Sequence, residues 1–187
     1  MKKYSFLLSL IILTWLVTFD LTGYIYENSE KFDQPVLITS AGQSAEVQLA
    51  NVLSKRAGLT ASLIKTPAEK DLEGVNTIIL VIGASLKGLG AAGLDVEQEK
   101  HRVSQFILSV EEKKLPIICL HLGGEARRGD LSDELISTCV PRSRSVIVVK
   151  SGNQDGLFTS LCTENNIPLI EVERTADALT PLKDLFN

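Results

Sequence analysis

The sequence predicts an α/β fold with a three-layer, doubly wound and mainly parallel six-stranded sheet, preceded by an N-terminal membrane anchor or signal helix. Two observations predict the sheet domain. Short runs of aliphatic and β-branched residues alternate with amphipathic segments of helical period, as in right-handed strand–helix–strand units. Most of these runs are continuously apolar, which is typical of parallel strands covered on both faces. The third observation is an uncharged apolar run near the N-terminus, directly after two lysines.

Six segments are predicted as strands because each is short, apolar and followed by a turn-forming loop. They are Val36–Thr39, Leu59–Ile64, Thr77–Ile82, Ile117–His121, Val146–Val149 and Pro168–Val172. The second segment is weak and amphipathic, so we place it at an edge of the sheet. The alternation with helices favours a Rossmann-like or flavodoxin-like arrangement.

The helices between the strands are predicted from apolar residues at helical spacing. Leu49, Val52 and Leu53 are expected to form the inner face of the first helix. The helix before the fourth strand carries four apolar residues at i, i+3, i+4 and i+7, namely Val103, Phe106, Ile107 and Val110. Pro181 is expected to disturb the last helix.

The N-terminal segment predicts export. Lys2 and Lys3 precede the uncharged run from Phe6 to Phe19, and residues 1–26 together approach the ~20 residues that a membrane span needs. We read residues 1–26 as a signal peptide or signal-anchor helix, 27–34 as a linker and 35–187 as a single α/β domain. A retained anchor with its lysines in the cytoplasm is favoured over cleavage. The domain is then extracytoplasmic, either anchored to the bacterial cytoplasmic membrane or secreted.

Composition excludes several classes of function. The net charge of -4 comes from interspersed acids and bases, and aromatic residues make up 5% of the chain, so neither a basic stripe nor a stacking platform for nucleic acid is expected. The three cysteines have no C-x-x-C spacing, which argues for small buried side chains rather than a redox or zinc site. No metal site and no cofactor are expected.

Glycine is concentrated in the loops that leave the predicted strands. All but three of the 13 glycines, Gly23, Gly58 and Gly74, lie there. The carboxyl ends of parallel strands meet at one edge of the sheet, and glycine allows the backbone to approach a ligand closely or to adopt a positive φ. We therefore expect a ligand crevice at that edge.

The residues predicted to bind the ligand come from four of these loops. They are Ser40, Gly42, Gln43, Ser44, Gly83, Ser85, Lys87, Gly88, Gly90, His121, Gly123, Gly124, Glu125, Arg127, Arg128, Asn153 and Asp155.

The polar side chains among them favour an anion. Ser40 and Ser44 precede a helix whose free N–H groups and dipole attract negative charge, although either serine could simply cap that helix. Arg127 and Arg128 could each hold a carboxylate or phosphate by a two-pronged contact. One of these arginines could instead pair with Glu125 or Asp130.

Two further motifs are weaker. The segment from Gly88 to Gly93 matches G-x-G-x-x-G but begins five residues after its strand, so it is interpreted as a flexible loop or lid rather than a dinucleotide fingerprint. Lys87 within it could reach an anion. His121 could be a general acid or base, a hydrogen-bond donor, or a satisfied core histidine. A triad of His121 with Asp130 and a serine is rejected, because no G-x-S-x-G elbow is present.

Four loop motifs, ITSAGQSAE, LVIGASLKGLGAAG, HLGGEARRGDLSD and VVKSGNQDGLFT, resemble a bacterial family of exported α/β proteins known only as a domain of unknown function. The resemblance runs from about residue 34 to the end of the chain. It implies the fold and the export, and it implies no activity and no catalytic residues.

The sequence therefore predicts a membrane-tethered extracytoplasmic domain that binds a small anionic solute, a carboxylate or a phosphate, at the carboxyl edge of the sheet. An enzyme acting on such a metabolite with His121 as acid or base is the first alternative. The second is a non-catalytic accessory partner of a transporter or envelope complex, and any protein partner is left open.

Overall fold

The computed structural model describes residues 31–186, which contain one six-stranded sheet. All neighbouring strands pair in parallel, in the order β2-β1-β3-β4-β5-β6. The strands are β1 (Val36–Ala41), β2 (Ala61–Leu63), β3 (Thr77–Ile82), β4 (Ile117–His121), β5 (Ser145–Val149) and β6 (Leu169–Val172). This order confirms the doubly wound, flavodoxin-like sheet and places the weak second strand at an edge, as predicted.

Residues 31–186 form six α-helices, of which five lie between strands and one follows β6. They are α1 (Glu46–Arg56), α2 (Leu86–Ala91), α3 (Val96–Glu112), α4 (Asp130–Cys139), α5 (Leu157–Glu164) and α6 (Leu179–Asp184). Five 3-10 turns complete the described chain, at Glu69–Leu72, Gly124–Arg127, Val140–Arg142, Lys150–Gly152 and Thr175–Ala178.

The apolar core forms two layers, one on each face of the sheet. Along β3, Ile78, Leu80 and Ile82 join the layer under α3, α4 and α5, whereas Ile79 and Val81 join the layer under α1 and α6. Successive strand residues point to opposite faces, so a strand buried on both sides has to be apolar throughout. The continuous apolar run of β3 is the sequence signature of this arrangement.

The inner face of α1 agrees with the prediction at Leu53 and differs at the other two residues. Leu49 and Val52 are 47% and 52% exposed, whereas Val47, Ala50 and Leu53 are buried against the sheet. A small residue such as Ala50 lets a helix lie close to a sheet. Sequence patterns that count only large apolar residues miss such a position.

Two smaller differences concern the end of β1 and the start of α6. Strand β1 continues to Ala41, so Ser40 lies in the strand and not in the loop that precedes α1. Pro181 lies in the first turn of α6, where a missing N–H and a fixed φ are tolerated, and the expected disturbance is absent there. Cys119, Cys139 and Cys162 are free and buried, as interpreted from the sequence.

The expected anchor at residues 1–26 and most of the expected linker lie outside the described residues. Within residues 31–186, no helix is long and apolar enough to span a membrane. The described chain enters the domain at Phe32, whose N–H donates to the Leu185 carbonyl and whose ring lies 5.9 Å from that of Phe186. This junction adjoins the amino end of β1, at the edge of the sheet opposite the strand-exit loops.

Candidate functional site

The loops after β1 and β3 meet where the strand order reverses. From β1 the chain crosses to β2 on one side and then returns to β3 on the other, which opens a crevice between the carboxyl ends of β1 and β3 in folds of this type. Here the two loops touch directly, because the Gly83 N–H donates to the Ala41 carbonyl and the Ser85 N–H to the Gly42 carbonyl.

Several of the predicted glycines are required by this contact between loops. Gly42 has a φ of 102°, and a Cβ atom there would lie 2.5 Å from the Gly83 carbonyl oxygen. A Cβ atom at Gly88 would overlap the Gln43 carbonyl oxygen, and one at Gly123 would overlap Cγ of Arg127. The concentration of glycine at this edge thus has a structural explanation, the packing of the loops on one another, besides the ligand approach that the sequence suggested.

The expected flexible loop after β3 contains a helix. Residues 86–91 form α2, and the Ser85 hydroxyl caps it by accepting a hydrogen bond from the Gly88 N–H at 3.1 Å. Lys87 and Gly90 face solvent. The match to G-x-G-x-x-G therefore falls on a short capped helix packed against the β1 loop, and this segment gives no support to a lid.

A buried ion pair that the sequence analysis missed supports the β1 loop. Glu99 of α3 is fully buried, and its Oε1 accepts hydrogen bonds from the Gly42 N–H at 2.7 Å and from Arg102 Nη2 at 2.7 Å. Arg102 Nη2 also donates to the Ser40 carbonyl at 2.5 Å. The signal was present in the sequence, because Glu99 stands one helical turn before Val103 on the apolar stripe of its helix.

Neither predicted serine caps α1. Ala45 occupies the cap position and provides no side-chain hydrogen bond. Ser40 and Ser44 are fully buried, and the hydroxyl oxygens of both have no hydrogen-bond partner among residues 31–186. Buried polar atoms almost always have a partner, so each of these hydroxyls marks a place where a water molecule or a ligand would be stabilised.

Arg128 is fully engaged in holding the edge together. Its Nη1 and Nη2 reach the two carboxylate oxygens of Asp155 at 2.9 and 2.7 Å, its Nε reaches Asp133 at 2.6 Å, and Nη1 also donates to the Gly152 carbonyl. The hydrogen bonds to Asp155 and Asp133 raise the pKa of Arg128. Neither expected partner, Glu125 nor Asp130, is used. Arg128 is therefore a structural residue in this structure.

Arg127 is only partly engaged. Its Nε donates to Glu46 Oε1 at 2.9 Å, and its two Nη atoms have no hydrogen-bond partner among the described residues. The Arg127 side chain is 35% exposed, so these donors are accessible. Its Cβ lies 3.7 Å from a Cβ atom built at Gly83, next to the buried Ser44 hydroxyl. Arg127 thus spans the exits of β1, β3 and β4.

Glu46 is the negative partner in this crevice and stands in the first turn of α1. Burial opposes its ionisation, but the hydrogen bond from Arg127, the hydrogen bond from its own backbone N–H and the nearby Ser44 hydroxyl outweigh burial and lower the pKa of Glu46. By geometry, Ser44 Oγ and Glu46 Oε2 are both buried without a hydrogen-bond partner among residues 31–186.

His121 is buried in the layer behind the crevice. It is 0% exposed, its Nδ1 lies 3.0 Å from the Ile82 carbonyl oxygen and its Nε2 lies 3.1 Å from that of Gly124. Burial lowers the pKa of His121, against these carbonyl contacts, which raise it. Of the roles expected from the sequence, the geometry supports that of a core histidine, whose neutral ring donates to one of the two carbonyls.

The remaining predicted residues take supporting or surface positions. The Asn153 side chain accepts a hydrogen bond from the Phe158 N–H at 2.9 Å and donates to Glu171 and Thr159, so it orders the start of α5. Gly124 packs on Ser151, and the Glu125 side chain is exposed. The structure therefore brings Ser44, Gly83, Gly123 and Arg127 together, with Glu46 added, and leaves the others as supports or at the surface.

A separate cavity of about 260 Å³ lies between α3 and α4. It contains none of the predicted site residues. Its lining consists of Glu97, Lys100, His101, Ser104, Glu134, Leu135 and Thr138. Lys100 bridges Glu97 and Glu134 across it at 3.1 and 2.7 Å. The charged groups of this cavity are thus paired with one another.

A family model described as a domain of unknown function (DUF6305) matches residues 33–186. This match confirms the resemblance drawn from the four loop motifs, whereas bacterial origin and export stay predictions. No curated protein matches the chain.

Solved structures give weak likenesses. A protein from Thermoplasma acidophilum that is described as a GMP synthase component is 9% identical, with 56% of this chain and 45% of that chain covered and a TM-score of 0.36. A GDSL-like lipase from Bacteroides thetaiotaomicron is 12% identical, with 73% and 66% covered and a TM-score of 0.33. AlinE4, an SGNH-hydrolase family esterase, is 13% identical, with 86% and 85% covered and a TM-score of 0.30. The chain spans less than half of the first of these proteins, and we draw no functional conclusion from the three likenesses.

Proposed function

The chain belongs to DUF6305, a family described as a domain of unknown function, so a proposal about its function has to come from its own residues. We propose that it binds a small solute in the crevice between the carboxyl ends of β1 and β3. The group that it recognises is an anion, a carboxylate or a phosphate. Binding alone, without chemistry, is the proposed activity.

The observation that carries this proposal is the guanidinium of Arg127. It is the arginine of the Arg127–Arg128 pair with accessible donors, since both of its Nη atoms lack a partner among the described residues and its side chain is 35% exposed. A guanidinium edge matches the two oxygens of a carboxylate or phosphate, and such charge-assisted contacts are worth about 1.5–3 kcal/mol.

The surroundings of Arg127 support an oxygen-rich ligand group. The fully buried Ser44 hydroxyl lacks a partner among residues 31–186 and lies against Gly83, on the side of the crevice formed by the start of α1. The amino end of an 11-residue helix adds a favourable dipole. A hydroxyl, a helix end and a guanidinium that lie side by side are usual components of an anion site.

The location is proposed with the function. We place the domain outside the cytoplasm, tethered to the membrane by the segment before the linker, on the evidence of Lys2, Lys3 and the apolar run that follows them. The described chain enters at Phe32, beside Phe186 and opposite the strand-exit loops. A tether at this point would attach at the edge of the domain opposite the crevice.

The enzymatic alternative has no supporting observation. Its candidate acid or base, His121, is fully buried with both ring nitrogens directed at backbone carbonyls. The accessory-partner alternative likewise gains no observation from the described residues.

Thermal shift of the full-length chain against a panel of small anions tests the proposal. The panel contains acetate, lactate, succinate, citrate, inorganic phosphate and the standard amino acids. At least one compound should raise the melting temperature of the wild type and of Arg56→Ala, a matched arginine at the far end of α1, but not that of Arg127→Ala. Equal stabilisation of all three proteins would contradict the proposal.

The location needs its own test. A reporter that functions only after export, fused after Asn187, should be active in bacterial cells, whereas activity of a cytoplasm-only reporter at the same position would reject the placement.

A further inference from the structure

We infer that the solute carries a cationic amino group next to its anionic group, so that the ligand class is a short zwitterion such as an α-amino acid. This inference rests on the proposed binding site and specifies what the site selects. It follows from the charge partner of Arg127.

Arg127 does not stand alone in the crevice. Glu46 lies 2.9 Å from its Nε and offers a carboxylate that is ionised at neutral pH, since its pKa is lowered. The side chain of Glu46 is only 14% exposed, so water screens it poorly. The site therefore presents one positive and one negative charge side by side, and its net charge is close to zero.

A simple anion gains less from this pair than from a lone arginine. A carboxylate that binds the Nη atoms of Arg127 has the Glu46 carboxylate on the Nε side of the same guanidinium, so part of the attraction is offset by repulsion. A ligand with an adjacent ammonium group replaces that repulsion by a second attraction. The sign of the ligand's second group therefore decides which solutes bind.

The atoms of the site that lack hydrogen-bond partners require a ligand with both a donor and an acceptor. The Nη atoms of Arg127 are donors, whereas Glu46 Oε2 is an acceptor that is buried without any donor among residues 31–186. The Ser44 hydroxyl beside it is also unpartnered within that range and can serve in either role. An ammonium group supplies three donors, and a carboxylate supplies only acceptors.

The short distance between the two charges limits the size of the ligand. Because Arg127 and Glu46 are joined by one hydrogen bond of 2.9 Å, the ligand's charges have to be close together, as they are when a single carbon atom joins the two charged groups. α-Amino acids meet this condition, and compounds with widely separated charges do not.

The pair is approached from solvent on the side of Arg127. The Arg127 side chain is 35% exposed, whereas that of Glu46 is 14% exposed. Arg127 lies directly against Gly123, where a Cβ atom would overlap its Cγ. The lack of a side chain at Gly123 thus leaves room for Arg127 beside Glu46.

Isothermal titration calorimetry on the full-length chain tests the inference. The probes are each standard amino acid, its N-acetyl derivative, which keeps the carboxylate, and its carboxamide, which keeps the ammonium. 6-Aminohexanoate serves as a control with distant charges. We expect at least one amino acid to bind tenfold or more tightly than its two derivatives and than 6-aminohexanoate.

Glu46→Gln removes the negative charge of the site and keeps the positive charge of Arg127. This variant should lose the preference for the free amino acid over the N-acetyl derivative, while Glu112→Gln, an exposed control at the end of α3, should keep it. If Glu46→Gln melts early, the comparison of the three ligands on the wild type decides by itself.

Two kinds of result would contradict the inference. If N-acetyl derivatives or phosphate bind at least as tightly as amino acids, and this binding depends on Arg127, the inference is overturned and the proposed anion site stands. Failure of all these probes to bind, or binding unaffected by Arg127→Ala, would overturn both.

Discussion

Arg128 and Asp155 form a two-pronged ion pair that joins two strand-exit loops: Nη1 lies 2.9 Å from Oδ1 and Nη2 lies 2.7 Å from Oδ2. The pair connects the turn after β4 to the loop before α5, and its two residues are 27 positions apart in the sequence. Arg128 thereby holds in place the loop that carries Arg127, its neighbour in sequence.

The ion pair predicts an acid-dependent stability. The hydrogen bond from Arg128 lowers the pKa of Asp155 from 3.8 to about 2. A carboxyl with a depressed folded-state pKa contributes stability above its unfolded-state pKa and loses it as the pH falls through the folded-state value. The melting temperatures of wild type and Asp155→Asn should therefore differ above about pH 4 and converge towards pH 2. A difference that is constant over this range would contradict the assignment.

The buried pair of Glu99 and Arg102 predicts a large loss of stability. Arg102→Ala would leave the Glu99 carboxylate buried without its counter-ion, which typically costs about 3–5 kcal/mol. Arg142→Ala is the matched control, because Arg142 pairs with Glu111 at the surface and such pairs contribute about 0–1 kcal/mol. Urea denaturation measures both. Equal effects of the two substitutions would show that Glu99 is not the support of the β1 loop.

Two glycines at the same edge are expected to respond oppositely to alanine. A Cβ atom at Gly152 would lie 2.6 Å from Cδ2 of the buried His121, so Gly152→Ala should destabilise the domain by about 1–3 kcal/mol. Gly90 lies in α2 with nothing within 4 Å of its Cβ position, so Gly90→Ala should be neutral or stabilising by up to about 1 kcal/mol. Thermal unfolding of the two variants checks the pair. Tolerance of alanine at Gly152 would contradict the packing of His121.

His121 should titrate below pH 6.5 in the folded protein. Burial lowers its pKa, and a histidine with a lowered folded-state pKa contributes stability above 6.5 that is lost as the pH falls below this value. NMR titration of the imidazole Cε1 proton measures the pKa directly. A value above 6.5 would mean that an imidazolium donates to both the Ile82 and the Gly124 carbonyl, and would contradict a neutral core histidine.

The fold was predictable because it rests on local patterns. The continuous apolar run of Thr77–Ile82 indicates a central parallel strand, and the observed strand has the same bounds. The weak second strand is three residues long and lies at the sheet edge, where fewer contacts select its sequence. Such features depend on the alternation of neighbouring residues, which the sequence displays directly.

The candidate site was only partly predictable, because its contacts join distant parts of the chain. Arg127 pairs with Glu46 from 81 residues away, and nothing in the local sequence selects that acid over Glu125. The sequence showed two adjacent arginines and could not assign their roles. It also located Ser44 in the right loop but left open whether this serine binds an anion or caps the helix, since the unpartnered state of a buried hydroxyl becomes visible only in three dimensions.

The central claim is that Arg127 binds the solute and Arg128 holds the fold, and calorimetric titration of the Arg127→Ala variant tests it most directly. The titrant is the panel compound that most stabilises the wild type. Loss of the guanidinium contact should weaken binding by about 1.5–3 kcal/mol, roughly tenfold or more, in a protein that still folds. Arg127→Lys should restore binding only in part, because lysine keeps the charge without the planar fork. Binding of the wild-type strength by a folded Arg127→Ala protein would contradict the account.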